Sequence, residues 1–594
     1  MRECDVVVVG SGAAGMTAAL TAAHRGLDVV LVEKAQRFGG STARSGGGVW
    51  VPNNSVLRKA GVPDSPSRAA TYLEHLLGDS VSAPRRQALV DHGPAMLDLV
   101  RSLTPLDFAW VPGYADYYPE LPGGMPQGRN IEPKPLDGNI LGDDLARLNP
   151  PYIRSPGGIT VTAADYRWLS LIARHPRGAL KAGRVFGRWV LGKVRRQHTL
   201  VMGQALIAGL RAGLTRLDVP VWLDTPLVEL CRDGDRVTGL IVRHGRGEEE
   251  LRARRGVVLA SGGFEHNAAM RARYQRAPIG TEWTTGAAEN TGDGIEAGQR
   301  AGAAVGLMDD AWWGPSIPLT GGPYFCLNER TLPGCILVNS AGERFVNEAA
   351  PYVDAVHAMY DGHATGVSHV PSWLIFDQRY RKRYPFAGLR PGQPFPGRWY
   401  KAGAVHTAPS LDELAAKIEV PADGLRGTVN AFNTAARAGR DDRFHRGDSA
   451  YDRYYGDPRQ KPNPCLGPLE VGPFHAVRIV PGDLGTKGGL CVDERSRVLR
   501  ADGSVIAGLY AAGNVSSAVM GNTYAGAGAT IGPAMTGGYL AALDLAALDP
   551  AVMDSAALDS AVLGSTGLGS VEPAPVEVAA AEASPADRAS GGAG

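Results

Sequence analysis

Late in the chain, residues 522–535 read Asn-Thr-Tyr-Ala-Gly-Ala-Gly-Ala-Thr-Ile-Gly-Pro-Ala-Met, a glycine loop that passes into a helix running toward Leu545. Amides at a helix start are oriented donors, and the dipole there favours negative charge such as an enolate would carry. Tyr524 adds a phenol donor four residues before Gly528, and packing of an apolar helix gives no reason for it. A second chemistry-bearing stretch lies at the other end of the chain. Gly10-Ser11-Gly12-Ala13-Ala14-Gly15 is a G-x-G-x-x-G set directly after the apolar run Val6 to Val9 and directly before an Ala-rich helix, Met16 to Arg25. In that context the first glycine permits a tight turn, the second lets backbone approach a pyrophosphate, and the third lets helix pack on strand. A second apolar run, Val29 to Val32, leads into Glu33 and Lys34, and a carboxylate at position 33 can accept hydrogen bonds from ribose hydroxyls. These features predict a bound dinucleotide.

The loop Phe38 to Gly48 follows, with Gly40, Ser41, Thr42, Ser45, Gly46 and Gly47 close together. Such a loop lets amides and small hydroxyls lie against a flat ring system with polar edges. Holding these loops requires a parallel sheet, and the unbroken apolar runs are the pattern of strands buried on both faces. Short strands are expected at Val219 to Leu223, Val228 to Cys231, Val237 to Val242 and Val257 to Ser261, with Asp233-Gly234 as a hairpin turn. Val505 to Ala512 is another buried strand, ending beside Gly513 and Asn514. Asn290-Thr291-Gly292-Asp293-Gly294 precedes a further helix, either as a plain cap or with amides facing the cofactor. The expected fold class is α/β, α+β overall: a Rossmann-type dinucleotide domain from residues 1–305 and 482–548, with an inserted α+β domain at 306–481. Residues 549–594, rich in Ala, Ser, Gly and Pro, lack the apolar content to order themselves.

The 594-residue chain carries a net charge of +1, which gives no support for nucleic-acid binding. Six cysteines without a C-x-x-C pair indicate no metal, haem or disulfide framework. The start enters a strand at once, leaving no room for a cleavable leader, and no apolar run approaches the ~20 residues of a membrane span. A cytoplasmic protein is expected. Asp64 to Leu103 has helical spacing, and Thr104 to Pro126, with Asp116-Tyr117-Tyr118-Pro119-Glu120, reads as an irregular loop. Arg167 to Arg196 holds nine Lys or Arg and no acid among apolar residues. It suits an anionic membrane surface or a solvated helical flap, with Pro176 and Gly178 expected to break its periodicity.

The segment 38–48, together with Gly342-Glu343-Arg344-Phe345-Val346-Asn347-Glu348 and the loop around Tyr524, resembles the flavoprotein family that includes fumarate reductases and ketosteroid dehydrogenases, over residues 4 to 546. The resemblance implies FAD as cofactor, held noncovalently because Gly39 to Trp50 contains no histidine. It implies further cofactor contacts at Val228, Ala260, Gly262, Asp293, Gly513, Asn514 and Ala529. Fumarate-reducing members place an arginine proton donor four residues after the Glu of the motif; here that position is Tyr352, as in ketosteroid dehydrogenases. The resemblance therefore implies Δ1-dehydrogenation of 3-ketosteroids. Tyr352 would take the C2 proton, Tyr524 and the Gly528 amide would polarise the 3-keto oxygen, and the C1 hydride would pass to FAD. A phenol of pKa about 10 needs help to act as a base near neutrality. Tyr117 is the implied helper and Tyr118 its rival, since the sequence does not say which side of their loop faces the pocket. An external electron acceptor is implied. The alternatives are a 3-ketosteroid 4-ene (5α) dehydrogenase, a fumarate-type reductase and a noncatalytic redox-responsive flavoprotein.

Overall fold

The computed structural model describes residues 2–152, 158–245 and 247–548. The two earliest apolar runs become the centre of the main sheet. Arg2–Val9 pairs in parallel with Val29–Val32 on one side, Val6 opposite Val29, and with Gly247–Leu259 on the other, Val7 opposite Val257. Val6, Val7, Val8, Val30, Leu31 and Val32 are all fully buried, as a strand covered on both faces demands. Each contributes about 2 kcal/mol of apolar burial. The order across this sheet is Arg497–Leu499, Val505–Ala511, Gly247–Leu259, Arg2–Val9, Val29–Val32, Val221–Trp222, with Arg236–His244 and Leu227–Asp233 extending from Gly247–Leu259 as a hairpin. The helix Ala13–His24 begins three residues ahead of the expected Met16, because Gly12 takes the cap position.

A second, antiparallel sheet is built around the long strand Phe474–Thr486, which pairs with Ala311–Leu319, Ser372–Asp377 and Val405–Ala408. Its flank carries the helix Tyr352–His363. Residues Met1–Ala547 form one compact unit. The expectation for 549–594 falls outside the described residues.

Asp64 to Leu103 is helical as expected, in two α-helices: Pro66–Leu77 ends at Gly78, whose φ of 50° lies outside the α-helical region, and Ala83–Leu103 begins after Ser82. The basic segment is interrupted ahead of Pro176 as expected: the helix Ala163–Leu169 ends before it and Pro176 opens a second helix, Pro176–Val194, where its missing N–H costs nothing, whereas Gly178 does not interrupt that helix. Gly178 is buried there, and a Cβ on it would meet the Trp168 carbonyl at 2.7 Å, so glycine is required by packing against the preceding helix, Ala163–Leu169.

Candidate active site

Three elements converge on one cavity of 1160 Å³. The first is the phosphate-type loop. Gly15 sits so close under the turn that a Cβ on it would meet the Gly10 carbonyl at 1.9 Å, and one on Gly10 would meet the Ala260 carbonyl at 2.3 Å. Gly12 caps the helix without a side-chain bond; the Ala13 amide donates to the Thr42 hydroxyl at 3.2 Å, and Ala13, Ala14 and Thr42 line the cavity. Glu33 receives the Ser11 amide at 3.0 Å, the Ser11 hydroxyl at 2.6 Å and the Ala35 amide at 2.9 Å, so its carboxylate is fixed at the cavity wall. Lys34 pairs with Asp293 at 2.7 Å and bonds Thr291 at 2.6 Å. That pairing ties the first strand unit to the segment whose role the sequence left open.

Gly10, Ser11, Gly12, Ala14, Glu33, Lys34, Gly40, Ser41, Thr42, Ser45, Gly46, Gly47, Ala260, Gly262, Asp293, Gly513 and Asn514 all line the cavity. Gly15 supports the loop from behind. Val228 is not on the wall, where its neighbour Leu227 stands, because the strand Leu227–Asp233 presents alternate residues to opposite faces. Ala529 is fully buried and lines a separate, smaller pocket shared with Asn514 and Thr530. The donor set suits a dinucleotide: glycine backbone that side chains would obstruct, a helix start on the cavity wall, and an acid and a lysine at the end of the second strand.

The second element is the helix Tyr352–His363. The motif before it is a buried clamp. Glu348 accepts from Arg344 at 2.8 Å, from Arg446 at 2.9 Å and from the Leu337 amide at 3.0 Å, and Arg344 also meets Asp441 at 2.9 Å. Arg330 donates to the carbonyls of Glu348 and Ala350. Both guanidiniums hold the Glu348 carboxyl below the usual range against its own burial. The chain is thus locked as it enters the helix, and Tyr352 is set at the first helical position.

The third element is the loop around Tyr524, held by carbonyls on both sides. The Thr523 carbonyl accepts from Lys487 at 2.9 Å, and the Ala525 carbonyl accepts from the Tyr72 hydroxyl at 2.7 Å and the Tyr117 amide at 3.1 Å. Gly528 has φ of 89°, and a Cβ on it would meet Gly48 at 2.5 Å. It lies in the turn ahead of the helix Ile531–Ala547 and not inside it, so its amide acts as a turn donor rather than through the helix dipole. The Thr530 hydroxyl donates to the Tyr524 oxygen at 2.8 Å.

The rings of Tyr117, Tyr352 and Tyr524 stand edge to face, at 5.5 Å for Tyr117 and Tyr352, 5.1 Å for Tyr117 and Tyr524, and 5.6 Å for Tyr352 and Tyr524. All three line the cavity with Gly528. Tyr117 donates to Tyr352 at 2.9 Å, whereas Tyr118 turns away to donate to Asp354 at 2.7 Å. What chooses between them is remote in sequence: Asp116 accepts from the Trp50 indole at 3.0 Å and pairs with Arg129, which also holds Asp64 at 2.9 Å. Burial pushes the Tyr352 and Tyr117 phenols well above their ordinary value, and Tyr524 upward too, while the donors on Tyr352 and Tyr524 act in the opposite direction. Phe325, 5.1 Å from Tyr352, adds an aromatic ring to the cavity wall, and Trp312 packs on the Tyr524 ring at 4.9 Å from outside it; sequence reasoning singled out neither. Isolated aromatics in strands carry no local signal of facing a pocket.

Residues 5–531 match the family described as FAD binding domain. The chain belongs to this family. Its cofactor is FAD. It is 57% identical over 552 residues to a 3-oxosteroid 1-dehydrogenase of Mycolicibacterium smegmatis, covering 91% of this chain and 97% of that protein. A protein of the same name from Mycobacterium tuberculosis is 56% identical over 552 residues, covering 91% of this chain and 98% of that one. Among solved structures, a 3-ketosteroid Δ1-dehydrogenase of Sterolibacterium denitrificans in complex with 1,4-androstadiene-3,17-dione superposes with a TM-score of 0.88 at 41% identity, covering 92% of this chain and all of that one (100%).

Proposed function

We propose that the chain is an FAD-dependent 3-oxosteroid 1-dehydrogenase, an oxidoreductase that introduces a double bond between C1 and C2 of a 3-ketosteroid. The observation that carries this reading is the Tyr117–Tyr352 hydrogen bond of 2.9 Å with Tyr524 beside it, on the wall of the cavity that begins at the G-x-G-x-x-G loop. A carbon next to a ketone loses a proton only when the developing enolate oxygen is stabilised. The Tyr524 oxygen already accepts from Thr530, so its own proton is available to the 3-keto oxygen. In the substrate complex the Gly528 amide shares this polarising role. Tyr352 takes the C2 proton, and the Tyr117 hydroxyl, donating to the Tyr352 oxygen, stabilises the phenolate that must form there. FAD, held noncovalently by the residues of the first loop, supplies the acceptor for the hydride that leaves C1. An external electron acceptor then restores the oxidised enzyme.

Anaerobic mixing of the FAD-loaded protein with 4-androstene-3,17-dione tests the reading. Bleaching of the oxidised flavin band with formation of the 1,4-diene is expected. Bleaching only with a 4,5-saturated ketone would transfer the proposal to the 4-ene (5α) activity, and no bleaching with either would overturn both.

A peripheral contact with an anionic membrane surface belongs to the same reading. No helix of the described residues is long and apolar enough to cross a membrane. The helix Pro176–Val194 nevertheless leaves Leu180 and Phe186 56% exposed, Leu191 47% and Val194 75%, beside exposed Arg184, Lys193, Arg195 and Arg196. Trp189, Gly192 and Lys193 of that helix line the cavity, so a bulky apolar substrate would pass from bilayer to pocket along it. Flotation with phosphatidylglycerol vesicles should retain the protein and lose the Phe186→Ser/Leu191→Ser variant. Equal flotation of both, or none of either, would contradict the contact.

A further inference from the structure

Lys487 is a fully buried cation that takes no part in the steps above. Lys487 follows the strand Phe474–Thr486 and has no exposed surface. A lone ammonium costs several kcal/mol to bury, so its partners carry information. There are three: the Asp310 carboxylate at 3.1 Å, the Thr523 carbonyl at 2.9 Å, and the Trp312 ring, whose centroid is 5.0 Å away. Asp310 in turn accepts from His357 at 2.9 Å and from the Trp313 indole at 2.6 Å. His357 belongs to the helix that begins at Tyr352, and Thr523 is the residue before Tyr524. The Trp312 ring also lies 4.9 Å from the Tyr524 ring. The neighbouring glycines make the placement strict, since a Cβ on Gly488 would meet Met308 at 2.4 Å and one on Gly489 the Val515 carbonyl at 2.3 Å.

We propose that Lys487 is a positioning residue for the reaction: by bridging the Thr523 carbonyl and Asp310, it fixes the Tyr524 hydroxyl against the helix that carries Tyr352. The inference rests on the dehydrogenase reading. The ion pair alone would be satisfied by a lysine anywhere beside Asp310; what sets this one apart is the bond to the backbone of the loop that must aim a donor at a ketone. A change of a few tenths of an ångström at Tyr524 leaves substrate binding to the aromatic wall intact and weakens polarisation in the transition state, so the loss falls on kcat.

The test is a double-mutant cycle on FAD-loaded protein, reading kcat, KM and FAD occupancy with 4-androstene-3,17-dione. Lys487→Met should lower kcat on the order of tenfold to a hundredfold with KM within about twofold. Because Lys487 acts through Tyr524, Lys487→Met should cost little in a Tyr524→Phe background. Losses that multiply across the two sites would overturn the proposal, as would wild-type kcat in Lys487→Met. Asp310→Asn/Lys487→Met restores charge balance in the interior and carries the test where the single variant folds poorly. Thermal stability should recover in it while kcat stays low, and recovery of wild-type kcat would reduce Lys487 to a structural ion-pair partner. Failure of the dehydrogenase reading looks different, because wild-type protein itself would then leave the steroid unchanged.

Discussion

At the scale of residues, burial opposes the phenolate that Tyr352 would become in the proposed mechanism, and Tyr117 is the donor that opposes burial. Because little of that phenolate exists at neutrality, kcat/KM should rise with pH from neutrality into the alkaline range. Tyr117→Phe should push the rise to higher pH and cost about tenfold at neutrality, the worth of one hydrogen bond to a charged group. Tyr352→Phe removes the base and should lower kcat roughly 10²- to 10⁴-fold, and Tyr524→Phe removes a donor to the enolate and should cost about 10²- to 10³-fold. A flat pH profile in wild type, or Tyr524→Phe at full kcat, would contradict these roles. Tyr524, Gly528 and Tyr352 could be singled out as candidates because each sits in a short motif. The choice of Tyr117 over Tyr118 was not, since it depends on Asp116, Arg129 and Asp64 meeting across the fold. Lys487 was silent for the same reason: a lone lysine among glycines has no local pattern.

At the scale of elements, the motif around Glu348 is a clamp for a helix start. Glu348→Gln leaves Arg344 and Arg446 buried with their shared carboxylate gone, and should destabilise the fold by about 3–5 kcal/mol, seen as a lowered denaturant midpoint. A midpoint unchanged from wild type would show the clamp to be dispensable. Gly528→Ala must move Gly48, whose carbonyl carbon lies 2.5 Å from the added Cβ, and it strains a φ of 89°. It should therefore disturb the cofactor loop and the Tyr524 turn together, lowering both FAD affinity and kcat. The strand, glycine loop and helix at the start of the chain were legible because their signals are spaced locally. Pro176 was legible as a helix boundary, whereas Gly178 was misread as a breaker because its place inside the helix is set by packing against Trp168.

At the scale of the whole molecule, the buried carboxyl of Glu265 links charge to stability. Burial, with Asp483 nearby, raises it from 4.5 to about 7, and Asn290 donates to it at 2.6 Å. A raised carboxyl binds more protons in the folded than in the unfolded state between those values, so its contribution is whole below the unfolded value and is lost as pH rises through the folded one. That interval corresponds to roughly 3 kcal/mol. Thermal stability should fall across it in wild type, with a shallower fall in Glu265→Gln; identical slopes would remove Glu265 from the account. The sheet carrying the cofactor loops follows from patterns spread along the chain, whereas the antiparallel sheet beside the tyrosine helix was legible only as a shift in composition. The meeting of Tyr117, Tyr352 and Tyr524 from three distant segments follows only from the fold. The most direct test of that meeting is the single-turnover rate of flavin bleaching by 4-androstene-3,17-dione under anaerobic conditions, in wild type and in Tyr352→Phe of equal FAD content. The account predicts a rate at least about 10²-fold lower in the variant; bleaching of Tyr352→Phe at the wild-type rate would contradict it.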